Sequence, residues 1–478
     1  MSNTKKNIAW NMLLTGSRYI FPLLTYPYVS RVLGVANIGI CNYVDSIINY
    51  FVLFAMLGIG SLGVREIARV KDEPEKLKVV FSSLTTILLL LTIISTVILV
   101  VLTYEIKFFA PYKEFLLVGI IKLVFSSLTL NWAFQGLSEF RFVTIRTIVI
   151  NSLYVISVFI FVHNQNDVLL YFFLTCIVVV INALVNWRYI GRWTHFSIKD
   201  VHPRIFMAAI LSYGFYNILT SMYTSFNVFY LGIVTTDIQV GYYATATKLY
   251  TIFMSVFTAV TTVMVPRISE LIAKKEASHL NTIAKQTFQL IFIFSFPIII
   301  ISFFYADVIV EIISGKGYEG AILPFRIVMI LLLVIALEQI IIQQFLMAVK
   351  ESKCVVILSA VGSVVGVVLN LLLTPSMGAV GSAISWTMAE ICILMVSLLY
   401  FKKYFCMTLP WDALLRNILV SIPYLIICYV FYSPNLSMSV LWGGLLCTSW
   451  FIISNLFIIK NEMLLSMLKI KLIKNNKE

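Results

Sequence analysis

Long runs of apolar residues, separated by short polar stretches, dominate this chain of 478 residues. A helix needs roughly 20 apolar residues to cross the hydrocarbon core of a membrane. Fourteen runs are near that length, and they cover residues 8–34, 38–62, 79–103, 114–135, 145–162, 168–190, 206–234, 240–266, 287–305, 322–349, 354–374, 379–401, 418–432 and 439–459. The runs are continuous rather than alternating, which favours helices over a barrel because lipid offers backbone groups no partners. The pattern therefore predicts an all-α polytopic membrane protein with about 14 transmembrane helices.

The basic residues sort to one side of these segments. With the N-terminus inside, the eight inner segments hold 27 of the 35 Lys and Arg residues. The seven outer loops hold three, which are Lys107, Lys113 and Lys316. Short loops rich in Lys and Arg stay in the cytoplasm because these residues are hard to translocate. We therefore predict a multi-pass membrane protein with both termini in the cytoplasm.

Composition narrows the classes of function. The chain is 60% hydrophobic and 12% charged, whereas a soluble domain carries about 25% charged residues. The net charge of +13 lies on the inner face, where it sets the topology and attracts the chain to membrane lipids. Nucleic-acid binding is not predicted, because the sequence has no basic domain interleaved with aromatic residues. The seven cysteines form no C-x-x-C pair, and no phosphate-loop, metalloprotease or hydrolase motif is present. No metal, cofactor or catalytic residue is therefore predicted, and the chain is expected not to be an enzyme.

The two halves of the chain share a glycine pattern. The separation between Gly16 and Gly34 equals that between Gly214 and Gly232, and the distance from Gly39 to Arg65 equals that from Gly241 to Arg267. These matches indicate a parallel duplication of six helices, which is a transporter architecture with a central site between the halves. We predict an N-lobe over residues 1–200, a C-lobe over 201–405, and an extra helical hairpin with a basic cytoplasmic tail over 406–478.

Several polar residues fall inside apolar segments, where a charge is costly unless it faces water or a partner. We predict that Arg18, Asp45, Lys248, Arg31 and Asn217 line a central cavity and bind substrate. Each also has a structural alternative. Arg18 can pair with an acidic residue such as Asp45, and Asp45 can form a static pair with Lys248. Arg31 can extend to the membrane interface, and Asn217 can make a hydrogen bond between helices.

Two further groups bear on movement and energy coupling. Pro22 and Pro27 bend the first helix, either as a static kink or as a hinge that gates the cavity. Glu338, Glu390 and Lys122 are also intramembrane, and a buried carboxylate can bind and release protons, so they are candidates for ion or proton coupling. The alternative for Glu338 is hydrogen bonding between helices together with its polar neighbours Gln339, Gln343 and Gln344.

Short motifs along the first 400 residues point to one family. They include PYVSRVLG at 27–34, GVREIA at 63–68, NWAFQG at 131–136, VGYY at 240–243 and GAVGSA at 378–383. With these motifs the chain resembles the polysaccharide (O-antigen and capsule) flippases of the multidrug/oligosaccharidyl-lipid/polysaccharide exporter superfamily. Many relatives have twelve spans, and the final hairpin is the feature in which this chain differs from them.

The resemblance implies a two-lobed bundle in the bacterial cytoplasmic membrane. Such proteins carry polyprenyl-pyrophosphate-linked oligosaccharide from the inner to the outer leaflet by alternating access, for synthesis of O-antigen, lipopolysaccharide or capsule. The resemblance leaves open whether a polysaccharide polymerase and a chain-length regulator act beside the chain. Two alternatives remain: a drug or cation antiporter of the same superfamily, and a membrane polymerase or glycosyltransferase.

Overall fold

The computed structural model describes residues 3–274, 276–349, 352–405, 407–431 and 442–455, and these residues form helices with no β-strand among them. The α-helices are α1 Asn3–Met56, α2 Ile59–Val70, α3 Pro74–Glu105, α4 Lys113–Ser127, α5 Asn131–Gly136, α6 Phe140–Phe161, α7 Val168–Ile190, α8 Arg204–Thr224, α9 Phe226–Val234, α10 Asp237–Lys274, α11 Ala277–Phe304, α12 Ala306–Ser314, α13 Ile322–Val328, α14 Leu331–Glu338, α15 Ser352–Met377, α16 Ala379–Phe405, α17 Trp411–Phe431 and α18 Gly444–Ile453. A π-helix over Gln339–Leu346 continues α14.

Length and composition show that the chain is a multi-pass membrane protein. In the described part of the chain, 11 helices are long and apolar enough to cross a membrane. Large apolar side chains on α3, including Leu90, Ile93, Ile94 and Val97, are exposed, as side chains that contact lipid are. The total of about 14 spans, the two parallel lobes with their boundaries after residues 200 and 405, and the cytoplasmic placement of the termini stay predictions.

The described residues fall into two compact units. The first comprises those within Met1–Thr245, Ser314–Gly317 and Gly366–Ser382. In it, α1 packs against α3, α4 and α6, and α4 packs against α7. One apolar core lies among α2, α3 and α5, where Phe81, Trp132 and Phe134 are buried. These aromatic side chains therefore anchor the short α5, which is too brief to be stable by itself.

The second unit comprises the described residues within Ala246–Ile313, Tyr318–Val365 and Ala383–Glu478. Here α11 packs against α14 and α17, and α17 packs against α18. The indole N–H of Trp450 donates a 3.0 Å hydrogen bond to the carbonyl oxygen of Val420. Tyr305, Tyr424 and Cys447 form a small buried cluster. The final hairpin is thus an integral part of the packing of this unit.

Two breaks shape the N-terminal helical run. The backbone of Gly34 leaves the helical region inside α1, with φ 77° and ψ 169°, close to the predicted boundary between the first two apolar segments. Leu57, with φ 36°, separates α1 from α2. The sequence predicted two segments here, and the structure forms them as one long run that changes direction at Gly34.

A close crossing joins α1 to the start of α10 within the first unit. A Cβ added at Gly39 would lie 1.8 Å from the carbonyl oxygen of Asp237, and one added at Gly241 would lie 2.2 Å from that of Val35. Only glycine allows backbones to approach this closely. Gly39 and Gly241 are the two glycines that the repeat pattern makes equivalent, and each of them lies against the backbone of the other helix.

Candidate functional site

A charged pair within the membrane segments of the first unit lies between α1 and α4. The ammonium group of Lys122 donates a hydrogen bond to Oδ1 of Asp45 in an ion pair, and the side chains are 18% and 34% exposed, respectively. Asn49, one turn beyond Asp45 on α1, donates a 3.1 Å hydrogen bond to Oδ2 of Asp45. Both carboxylate oxygens are therefore engaged. The structure brings together two residues that the sequence analysis gave to different roles, substrate binding for Asp45 and coupling for Lys122.

The remaining predicted residues of α1 lie along its first half. The backbone of Arg18 is in α1, and its side chain lies outside the described residues. Pro22 and Pro27 lie within the helix, and the non-helical residue of α1 is Gly34 rather than either proline. The hydroxyl of Thr25 donates to the carbonyl oxygens of Phe21 and Pro22, at 3.0 and 3.4 Å. The hinge role of the prolines stays a prediction.

Arg31 lies on the same helix, next to a tight turn. Gly315 has φ +87°, and a Cβ added there would lie 2.9 Å from Cγ of Arg31. The side chain of Arg31 is exposed. Since both the backbone angle and the close approach require glycine at 315, this turn holds the stem of Arg31 in place.

Asn217 lies in the first unit and Lys248 in the second. The side chain of Asn217 on α8 donates a 3.4 Å hydrogen bond to the carbonyl oxygen of Leu57, at the break between α1 and α2. This contact corresponds to the helix-to-helix alternative. Lys248 lies in the second unit on α10 and is half-buried. The substrate-binding roles of both residues stay predictions.

Two buried glutamates meet in the second unit. Glu338, at the end of α14, is 6% exposed, and Glu390 on α16 is 4% exposed. The indole N–H of Trp386 donates a 2.9 Å hydrogen bond to Oε1 of Glu390, and Oε1 of Glu338 is buried without a hydrogen-bond partner among the described residues. Two carboxyl groups buried close together are costly when both are charged.

The π-helix begins directly after Glu338. Its i→i+5 geometry is rare and often occurs at functional sites. In it, the side-chain amide of Gln339 donates a 3.2 Å hydrogen bond to the hydroxyl of Thr258, and that of Gln344 donates a 3.4 Å bond to the carbonyl oxygen of Thr261. Both amides therefore bond to α10 at positions three residues apart, so Gln339 and Gln344 face the same helix.

Arg146 is a residue that the sequence analysis missed. The count of loop charges treats it as part of an inner loop, whereas the structure places it in α6 with 8% exposure. Its guanidinium donates to the side-chain oxygen of Asn186 on α7 and, at 3.1 Å, to the hydroxyl of Thr147. A signal was available: Asn182 and Asn186 are one helical turn apart in an otherwise apolar run, so they share a face of α7.

Comparison with known proteins gives the family. The model of the family described as "Polysaccharide biosynthesis protein" matches residues 4–272, which is more than half of the chain. The chain belongs to this family. The resemblance inferred from the sequence motifs is confirmed. A second family model, described as "MatE", matches residues 213–372.

Relatives of this chain agree with that assignment. Two proteins named "Putative O-antigen transporter" are similar to it. The one from Escherichia coli (strain K12) is 24% identical over 347 residues, covering 70% of this chain and 81% of that protein. The one from Shigella dysenteriae is 25% identical over 397 residues, covering 82% and 99%.

Solved structures show the same fold for this chain. An inward closed conformation of the lipid II flippase MurJ matches with a TM-score of 0.78 at 16% identity, covering 95% of this chain and 100% of that one. An inward-facing multidrug resistance MATE family transporter of the MOP superfamily matches with a TM-score of 0.65 at 15% identity, covering 81% and 94%.

Proposed function

We propose that this protein is a flippase for polyprenyl-pyrophosphate-linked oligosaccharide repeat units, used in O-antigen or capsule synthesis. One observation carries the proposal: the polysaccharide biosynthesis family match covers residues 4–272, the part of the chain with Arg18, Arg31, Asp45, Lys122 and Arg146 in its helices. The names of the two relatives from E. coli and Shigella support it. Cationic side chains within membrane helices suit a substrate whose head group is an anion.

In this proposal the pyrophosphate is bound by arginine. A guanidinium binds phosphate oxygens through a planar fork, and exclusion of water strengthens the contact. Arg18 and Arg31 bind the pyrophosphate, and Lys248 adds a positive charge during the cycle. Asp45 accepts hydrogen bonds from sugar hydroxyls, and the side-chain amide of Asn217 accepts or donates them. The head group is exposed to one face of the membrane at a time while the polyprenyl tail stays in lipid.

The test uses a strain that lacks the gene and has no redundant flippase. We expect completed lipid-linked repeat units to accumulate on the cytoplasmic leaflet, with surface polysaccharide lost. The wild-type protein is expected to restore surface polysaccharide fully, and Arg18→Lys is expected to restore it partly. At equal membrane abundance, Arg18→Ala is expected to restore less than a tenth of it. Unchanged sidedness in the deletion strain would contradict the flippase function, and full rescue by Arg18→Ala would contradict the role of Arg18 alone.

We propose further that the Glu338–Glu390 pair couples transport to proton movement. Support comes from the burial of both carboxyl groups in the membrane-spanning part of the second unit and from the π-helix that follows Glu338. In proteoliposomes, Glu390→Gln is expected to abolish the response of transport to an imposed pH gradient. Glu311→Gln is the matched control, because Glu311 on α12 is an exposed carboxylate. An unchanged response in Glu390→Gln would show that the energy source lies elsewhere.

A drug or cation antiporter is the second candidate. The MatE match over residues 213–372 favours it, since that range contains Glu338. Ion-dependent efflux of cationic dyes by purified protein in liposomes would support this function. Absence of efflux, together with sided accumulation of lipid-linked sugar in the deletion strain, would leave the flippase.

A further inference from the structure

A polar cavity of about 360 Å³ lies within the first unit, between α4, α5, α6 and α7. We call it the Arg146 cavity, and its polar lining includes Ser126, Thr129, Asn131, Gln135, Arg146 and Asn182. Amide and hydroxyl groups dominate its wall, although the surrounding segments are apolar. A cavity with several polar groups stays hydrated or binds a polar ligand rather than remaining dry.

Among the described residues, no carboxylate forms an ion pair with Arg146, and its guanidinium donates to neutral oxygens only, those of Asn186, Asn131 and Thr147. In the same part of the chain, its Nε and Oδ1 of Asn182 are buried without a hydrogen-bond partner. A buried charge is costly unless an opposite charge approaches it.

A purely structural role explains this arrangement incompletely. The contacts to Asn131 and Asn186 do tie α6 to α5 and α7. Neutral amides, however, supply no counter-charge. A guanidinium without a counter-charge among the described residues, at the wall of an open polar cavity, is suited to an anion that accepts hydrogen bonds.

The depth of the cavity indicates where its anion comes from. Arg146 is six residues after the start of α6 at Phe140, which is about 9 Å along the helix. Asn186 is four residues before the end of α7 at Ile190, or about 6 Å. In the predicted topology these are the cytoplasmic ends of both helices. The cavity therefore lies close to the level of the phosphate groups of the inner leaflet.

We propose that the Arg146 cavity binds the phosphoryl group of a lipid from the inner leaflet. The guanidinium supplies the positive charge, while the amide groups of Asn131 and Gln135 donate to the phosphate oxygens. Two lipids share this chemistry, a polyprenyl pyrophosphate and an anionic phospholipid. The assignment to the polyprenyl pyrophosphate rests on the proposed function, whereas the phosphoryl site itself does not.

The experiment measures binding without transport. Full-length protein is reconstituted in nanodiscs of phosphatidylcholine and titrated separately with polyprenyl pyrophosphate, phosphatidylglycerol and inorganic pyrophosphate. Readouts are the rise in unfolding temperature and the lipid adducts seen by native mass spectrometry. The variant is Arg146→Gln, and the matched control is Arg141→Gln, which makes the same change at an exposed position of α6. We expect binding of at least one phosphoryl ligand to weaken at least tenfold in Arg146→Gln and not in the control.

A second variant keeps the test decisive if Arg146→Gln does not fold. Gln135→Trp fills the exposed side of the cavity and leaves the hydrogen bonds of Arg146 intact. Weakening confined to polyprenyl pyrophosphate supports a substrate site, and weakening that includes phosphatidylglycerol supports a general lipid-phosphate site. The proposal is overturned if no ligand stabilises the wild type, or if both folded variants bind as the wild type does. Neither of these results would contradict the flippase proposal, which is tested separately in the deletion strain.

Discussion

At the scale of single residues, the ion pair between Asp45 and Lys122 is partly open to its surroundings. Exposures of 34% and 18% put it between surface pairs, which contribute up to about 1 kcal/mol, and buried pairs, whose disruption costs about 3–5 kcal/mol. Because Asn49 donates a hydrogen bond to the second carboxylate oxygen of Asp45, the carboxylate is also held in one orientation. Removing one partner leaves a single charge within the membrane segment.

We predict that Asp45→Asn and Lys122→Gln each lower the free energy of unfolding by about 1–2 kcal/mol. The double variant is expected to lose less than the sum, since it leaves no unpaired charge. Thermal unfolding of the four proteins in the same detergent measures the coupling. Strict additivity would show that the two charges do not stabilise each other.

The turn beside Arg31 allows a matched comparison of two glycines. Gly315 and Gly317 have φ of +87° and +88°, and only the former has Arg31 against its Cβ position. We predict that both Gly315→Ala and Gly317→Ala cost about 1–2 kcal/mol in backbone strain. Gly315→Ala should in addition displace Arg31 and lower surface polysaccharide export. Equal export by the two variants at equal membrane abundance would argue against a substrate role for Arg31.

At the scale of helices, the crossing of α1 and α10 depends on having no side chain at either glycine. We predict that Gly39→Ala and Gly241→Ala each cost at least about 1–3 kcal/mol, because the added methyl group meets backbone atoms that cannot move alone. Gly60→Ala on α2 is the control, since nothing lies within 4 Å of its Cβ position, and it should be neutral or slightly stabilising. Yield and thermal stability in detergent provide the measurement, and tolerance of both crossing variants would contradict it.

The helices themselves could be predicted from the sequence, because a membrane span requires a run of apolar residues that is visible in any single chain. The partners of the polar residues could not. Asp45 and Lys122 are far apart in sequence, so their pairing depends on how α1 packs against α4. Arg146 lies near the start of a predicted segment, where an arginine that extends to the interface and one that is buried have the same local pattern. The π-helix after Glu338 has no sequence signature comparable to a glycine turn.

At the scale of the whole molecule, the distribution of basic residues makes a prediction about sidedness. With single cysteines placed in a cysteine-free background, Lys107→Cys is expected to react with a membrane-impermeant maleimide in intact cells. Lys76→Cys is expected to react only after the membrane is opened. Both positions are exposed, so accessibility to the reagent depends on the side of the membrane alone. Reaction of Lys76→Cys in intact cells would reverse the topology predicted from the charge distribution.

The π-helix after Glu338 holds a residue that an α-helix over the same stretch would not need, because each π-turn takes up about one residue more than an α-turn. Deleting one residue from Gln339–Leu346 would therefore let the segment rewind as an α-helix, and the residues just before and after it would keep nearly the same rotational phase. Only side chains inside the segment would change direction. The extra residue thus serves the hydrogen bonds of Gln339 to Thr258 and of Gln344 to Thr261, which the shortened chain would lose.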